Sequence, residues 1–520
     1  MRRSFCQVLF VALALVGALA TGAAFAQSAP TTSRLVVALN ADIRSLEPGV
    51  NRDTNTDTVI HQLFEGLVAY KTDLDVGPAL AESWTLSDEG RTYSFKLRPA
   101  TFHNGKPVTS AELKWSWDRL NQSSAWTCKP VFNGQSGAKV VAVETPDPQT
   151  VVFKLDRASA IFLKQLANIQ CHVLAMHPDS LDAEGKWSKP IGSGPLKLRE
   201  WRRAEYVLLD KFAEYRGSTA PANGFSGARD MLVEQVLFQV IPDPSAREAA
   251  LLTGAVDILH DIEPDQIETM KQRGMRVLST PGLGWSALLL QTDDPLLSNV
   301  KIRQAIAHAI DLKQIAEAQT LGMAPANASA VSSSTAFYNA GFAAWPAYDP
   351  ARARALLKEA GYKGEPLRLQ TNKQYQAMYQ NSVMIEQMLA GAGFAVKLEV
   401  IDWATQLSNY LNGRFQMQSF GYSGRFDPAL MYAAFVGDKT RFKTAQYGDP
   451  DAVALLGQLD TTDDPAVRGK LFAALHAKVQ ADVPIVGLYF SPIIEAVHPR
   501  VEGYVSWPAN RPITWGVRKR

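Results

Sequence analysis

The sequence predicts an α/β protein organised as two lobes, and three observations carry that reading. Downstream of residue 284, short apolar or alternating stretches exchange with amphipathic ones, as strand, helix, strand units require. Upstream of it, stretches with period-two alternation succeed one another with turn residues between them. The chain has 520 residues and is 46% hydrophobic, which is too long for one core. No repeat and no long linker interrupts it, so two lobes joined by short crossings fit better than separate beads.

Taken in order, Leu35 to Leu39 is a continuous apolar run that predicts a buried strand, followed by Asn40, Ala41 and Asp42. From Thr58 to Tyr70, Val59, Leu63, Phe64, Leu67 and Val68 recur near helical spacing. Tyr93–Leu97 and Val151–Leu155 alternate as half-exposed strands, entered from Asp88-Glu89-Gly90 and Asp147-Pro148. Further strands are expected at Tyr206–Leu209 and Leu232–Ile241. Val300 to Ala318 predicts one helix, with Ile302, Ala305, Ile306, Ala309, Ile310 and Ile315 on a single stripe and Asn299 as N-cap. Asp349-Pro350 opens the next helix and Gly361 ends it. Leu367–Leu369 and Val396–Val400 then bracket a helix around Ala377 to Leu389.

The first 26 residues read as a removable export signal. Arg2 and Arg3 precede an uncharged apolar run from Val8 to Ala20, and Ala24-Phe25-Ala26 sets small residues at a cut before Gln27. The run is shorter than the roughly 18 to 20 residues that span a bilayer. No Cys follows the cut to accept a lipid. The remaining 494 residues are expected to be soluble in the periplasm of a Gram-negative cell.

The signal carries two arginines and no acid, so 53 basic against 51 acidic side chains become 51 against 51. That balance argues against a nucleic-acid binder or an electrostatically held membrane protein. Cys128 and Cys171 remain, and an oxidising compartment favours a disulfide between them. The alternative is a metal site using Cys171, His172 and His177, but it lacks closely spaced ligands on both sides. No metal or cofactor is expected. Gly192-Ser193-Gly194 lacks the spacing of a nucleophile elbow, no His-Glu-x-x-His occurs, and Gly105-Lys106 has no phosphate-loop glycine upstream. An enzyme, or a chaperone or sensor on the same fold, is therefore the minor expectation.

Several phrases stand together in one order: Leu46-Glu47-Pro48, Phe64-Glu65-Gly66-Leu67, Leu80-Ala81-Glu82-Ser83-Trp84, Phe102-His103-Asn104-Gly105-Lys106-Pro107, Gly192-Ser193-Gly194-Pro195-Leu196, Lys301-Ile302-Arg303-Gln304-Ala305-Ile306 and Tyr348-Asp349-Pro350. In this the chain resembles the extracellular solute-binding proteins of the dipeptide, oligopeptide and nickel class of ABC importers, solute-binding protein family 5. It departs from their usual pattern at Glu47, at Ser193 and Leu196, and at Gln291-Thr292. The resemblance implies the large peptide-binding type of two-lobed periplasmic-binding-protein fold. Lobe I would comprise 27–283 plus 485–520, with an extra subdomain at 76–189, and lobe II would comprise 284–484. Cys128 and Cys171 would fall in the subdomain, away from the cleft. The expected function is to capture a small polar solute by hinge closure and hand it to permease and ATPase subunits in the inner membrane, as a monomer. A short peptide or amino-acid-derived solute comes first, an oligosaccharide second and a metal chelate third.

Candidate ligand contacts cluster in Phe420 to Pro428. In the resembled family an Asp in the corresponding loop often meets the amino group of a bound peptide, which nominates Asp427. Arg425 could take a ligand carboxylate bidentately. Asp427-Pro428 is also an ordinary helix start, and Arg425 could simply pair with Asp427. Asn40 and Ala41 are candidates because they follow a strand end. Trp285, Trp403 and Tyr422 are candidates for stacking on the solute.

Overall fold

In the computed structural model of the chain, which describes residues 33–50, 53–126, 128–134 and 137–520, the first apolar run forms the strand Arg34–Leu39 inside a seven-stranded sheet. The export signal lies outside the described residues. The strand runs parallel to Gln235–Val240 on one side and Ile258–His260 on the other, and is buried from Leu35 onward. Such burial fits a parallel strand covered on both faces. Beyond Gln235–Val240 the sheet continues through Tyr206–Lys211 and Leu196–Arg202. On the other side Ile493–Val497, from the end of the chain, inserts antiparallel between Ile258–His260 and Arg276–Thr280.

A second sheet has five strands in the order Val396–Val400, Leu367–Thr371, Met417–Tyr422, Trp285–Leu290, Ile485–Phe490. The first three are parallel, and the helix Gln376–Gly391 connects Leu367–Thr371 to Val396–Val400 as the pattern predicts. Asp349 caps Pro350–Ala360 by accepting from the Arg352 amide, and Gly361 closes that helix at φ 70°. This left-handed backbone suits glycine. Inside 76–189, Ala81–Ser87, Thr92–Leu97, Thr150–Leu155 and Val140–Asp147 form a separate antiparallel sheet. The protein thus has the two-lobed periplasmic-binding fold. Among the described residues no helix is long and apolar enough to cross a membrane.

Three expectations change. The chain returns to the first sheet at Ser491-Pro492 and not at 485, because Ile485–Phe490 pairs with Trp285–Leu290 in the second sheet. The amphipathic stretch from Thr58 to Tyr70 divides into the helix Thr54–Leu63 and the strand Val68–Tyr70. Between them Gly66 passes so near His172 that a Cβ would lie 2.1 Å from its Nε2. The long helix expected at 300–318 is two, Val300–Ala309 and Leu312–Thr320, because Asp311 turns its carboxylate to the Gln314 amide and starts a new helix. A cap that satisfies an otherwise orphaned N–H outweighs an unbroken stripe.

Candidate functional site

Register brings the site to one end of each sheet. In the second sheet, Trp285 pairs with both Tyr422 and Phe490, so the strand starting at Trp285 and those ending at Tyr422 and Phe490 share an edge. The parallel strands ending at Thr371 and Val400 finish at that edge too. In the first sheet Leu39 pairs with Val240 and Thr280 with Ile493. Both crossings, 281–284 and 491–492, therefore join these edges, and the loops leaving them face each other. Open α/β sheets bind ligands at such carboxyl ends.

A cavity of about 400 Å³ lies there. Asp261, Asn510 and Gln170 line it from the first lobe and Ser423, Gly424 and Phe426 from the second, with Gly282 and Ser491 of the crossings at its back. Its size suits a small organic solute. Phe426 stacks on Tyr70 of the first lobe, ring centroids 4.2 Å apart, and also lines a second interlobe chamber of about 490 Å³ beside Trp84 and Phe337. A larger hollow at Glu47, Trp115 and Arg119 is not a convincing site, since Arg119 Nη2 already meets Glu47 Oε1 at 2.6 Å.

Asp427 is the N-cap of Pro428–Tyr432, accepting from the Ala429 amide at 2.9 Å. Its side chain is fully buried, and its oxygens receive Arg468 Nη2 at 2.7 and 2.9 Å and Lys164 Nζ at 2.6 Å. Burial would raise this carboxyl, but Lys164 and Arg468 outweigh burial and hold it below the usual range. Asp427 was expected to anchor a ligand amino group; in the structure its carboxylate oxygens are met by Lys164, Arg468 and the Ala429 amide. Arg425 does not pair with it. Arg425 Nη1 donates to the carbonyls of Ser423 at 3.2 Å and Gly424 at 3.4 Å, and no carboxylate meets the guanidinium among the described residues. Burial lowers its pKa, with Tyr410 and Tyr422 opposing the shift.

The aromatic candidates separate. Trp285 is wholly buried among Tyr422, Phe435 and Phe490, with Nε1 donating to the Asn327 carbonyl, so its ring is a core element rather than a ligand platform. Tyr422 is also buried, its hydroxyl 3.4 Å from Gln446 Oε1. Trp403 stays partly exposed at the start of Trp403–Leu411, packed edge-on against Tyr375 at 4.8 Å. Asn40 and Ala41 are exposed at their strand end, held by the Asn55 amide, which donates to Asn40 Oδ1 at 2.8 Å and the Ala41 carbonyl at 3.0 Å. Neither lines the cavity.

Cys128 and Cys171 are joined by a disulfide. The bridge is not remote from the cleft as expected: Ile169 and Gln170, immediately before Cys171, line the cavity. Among the described residues no group of three His, Cys, Asp or Glu could hold a metal ion. Sequence reasoning missed Asp261, although the strand-end rule that found Asn40 applies equally after Ile258–His260. It also missed Lys164 and Arg468, for which no local signal exists.

The model of the bacterial extracellular solute-binding proteins, family 5, matches residues 75–443. The glutathione-binding protein GsiB of Escherichia coli O1:K1 is 26% identical over 514 residues, 96% of either chain. Among solved structures, DppA of Helicobacter pylori in complex with the peptide STSA is 25% identical, with a TM-score of 0.75 over 94% of this chain and 98% of its own. AgaA of A. tumefacien R10 in complex with agropinic acid is 25% identical, with a TM-score of 0.73 over 94% and 99%.

Proposed function

Because this chain belongs to the bacterial extracellular solute-binding proteins, family 5, we propose that it captures a short peptide or amino-acid-derived solute between its lobes and delivers it to an ABC permease. The observation that carries this reading is the cavity at the two crossings, walled by both lobes, so that a solute seated there is enclosed only when the hinge shuts. Relatives described with glutathione and with a peptide support the solute class. Arg425, with no acid partner among the described residues, stands in the loop whose Ser423 and Gly424 line the cavity, and Trp403 with Tyr375 offers a partly exposed aromatic pair in the same lobe. Residues 1–26 send the chain to the periplasm, where it acts as a monomeric collector; ATP hydrolysis falls to the partner subunits, and the solute leaves chemically unchanged.

A thermal-shift screen of the mature protein against peptides, amino-acid derivatives, sugars and metal chelates tests this reading. A true solute at about 100 times its Kd adds roughly 2.7 kcal/mol of stability. A melting point raised by sugars alone contradicts it.

A further inference from the structure

At the edge of the second sheet opposite the crossings lies a hollow of about 540 Å³. Trp285–Leu290 runs from the crossing towards Gln291, while Leu367–Thr371 and Met417–Tyr422 begin at that far edge, so Gln291, Arg368 and the loop 412–415 share one wall. Lys439 and Lys443 come to it from the loop 437–446. Gly413 has φ 66°, and a Cβ there would lie 2.9 Å from the Lys443 carbonyl oxygen, so the missing side chain is what lets the two loops close up. Their approach brings Arg414 and Lys443 to the same hollow.

Arg368, Arg414, Lys439 and Lys443 line this space together with Asp293 and Asp294, and both acids are already engaged. Asp293 Oδ1 meets Lys439 Nζ at 2.8 Å. Asp294 Oδ1 accepts the Leu296 amide at 2.9 Å, the Leu297 amide at 3.2 Å and Gln416 Nε2 at 3.0 Å. The side chains of Arg368, Arg414 and Lys443 meet no acid among the described residues. In the same wall Gln291 is only 8% exposed. Its Nε2 donates to the Gly413 carbonyl at 3.4 Å, and its Oε1 has no hydrogen-bond partner among the described residues. A buried acceptor without a donor is costly, and here it points to a ligand that supplies one.

We propose that this hollow binds a phosphate-type oxyanion that also carries a hydroxyl, its anionic oxygens on Arg368, Arg414 and Lys443 and its hydroxyl donating to Gln291 Oε1. Guanidinium forks match phosphate oxygens, and the lysine adds a point charge. Hydrogen phosphate and phosphoglycerol each supply anionic oxygens and a hydroxyl donor, whereas sulfate supplies the oxygens alone. Exposed Leu411 and Phe442 adjoin Asn412 and Lys443 of the wall, so the phosphate can come free from solution or on the headgroup of an anionic lipid. The hollow is at the opposite end of the sheet from the solute cavity, so this ligand is additional to the transported solute and does not depend on its identity.

The test titrates inorganic phosphate and sulfate calorimetrically into the mature protein at constant ionic strength, and sediments the protein with phosphatidylglycerol or phosphatidylcholine vesicles. Circular dichroism and melting point confirm that each variant is folded. Wild type binds phosphate about tenfold more tightly than sulfate, and Gln291→Leu loses that preference. The double variant Arg368→Gln, Arg414→Gln weakens phosphate binding about tenfold or more, the loss expected for charge-assisted contacts. Phosphate binding without retention on vesicles assigns the site to the free anion. Retention on phosphatidylglycerol but not phosphatidylcholine, lost in the double variant, assigns it to the headgroup. Wild type that binds neither phosphate nor phosphatidylglycerol, or binding unchanged in the double variant, overturns the proposal, and equal affinity for phosphate and sulfate overturns the role of Gln291.

Discussion

Lys164 Nζ stands 2.6 Å from Asp427 Oδ2, and that contact ties a helix of the first lobe to a helix cap of the second. Arg468 holds the same carboxylate from within the second lobe. The two cations therefore have separable roles. Lys164→Met leaves the Asp427–Arg468 pair intact, so the melting point should fall only slightly while the unliganded protein opens, read as a larger radius of gyration in small-angle scattering. Asp427→Ala strands two cations and should cost about 3–5 kcal/mol of stability, read as a lowered melting point, whatever its effect on binding.

A pH dependence follows from Asp460, whose backbone carbonyl accepts from the Ala160 amide at 2.9 Å across the lobes. Burial pushes its carboxyl up to about 6, with Arg157 and Arg468 lowering it and Asp427 raising it further. A raised acid binds its proton more tightly when folded, so its contribution is fully present below the unfolded value near 4 and is lost as pH rises through 6. Allowing for partial exposure, the difference is on the order of 1–2 kcal/mol. Denaturant titrations of wild type and Asp460→Asn at pH 4 and pH 7 should show that loss in wild type only.

The Cys128–Cys171 bridge spans a sequence separation of 43 and should stabilise the chain by about 4 kcal/mol on the chain-entropy estimate. Because Cys171 adjoins the cavity wall at Gln170, the double Cys→Ser variant should also bind solute more weakly, by a few-fold. A fall in melting point with unchanged affinity would separate the bridge from the wall.

Trp285 should behave as a core residue. Trp285→Ala is expected to cost about 3–5 kcal/mol, while Trp285→Phe, which keeps most of the packing, should leave solute affinity near wild type. Calorimetry on the Phe variant checks this, and a large affinity loss there would return the ring to the binding site.

How far the sequence carried this picture depends on how far apart the deciding residues are. Asp349, Pro350 and Gly361 bound their helix correctly because capping and left-handed closure are settled within a few residues. The return crossing was misread because Ile485–Phe490 and Ile493–Val497 are both buried apolar strands, and what assigns them to different sheets is pairing with Trp285–Leu290 and Ile258–His260, about 200 residues earlier. Asp427 looked available for the same reason: Lys164 is 263 positions away and Arg468 is 41. Trp403 follows its strand Val396–Val400 within a few residues, so its place at that end of the second sheet was readable locally.

The most direct test of the central claim, that solute is held at the two crossings between the lobes, is hydrogen exchange of the mature protein with and without the solute giving the largest thermal shift. The account predicts added protection at 168–171, 281–284, 423–427 and 491–493 together, from both lobes. Protection confined to one lobe, or centred on the hollow at Glu47, Trp115 and Arg119, would contradict it.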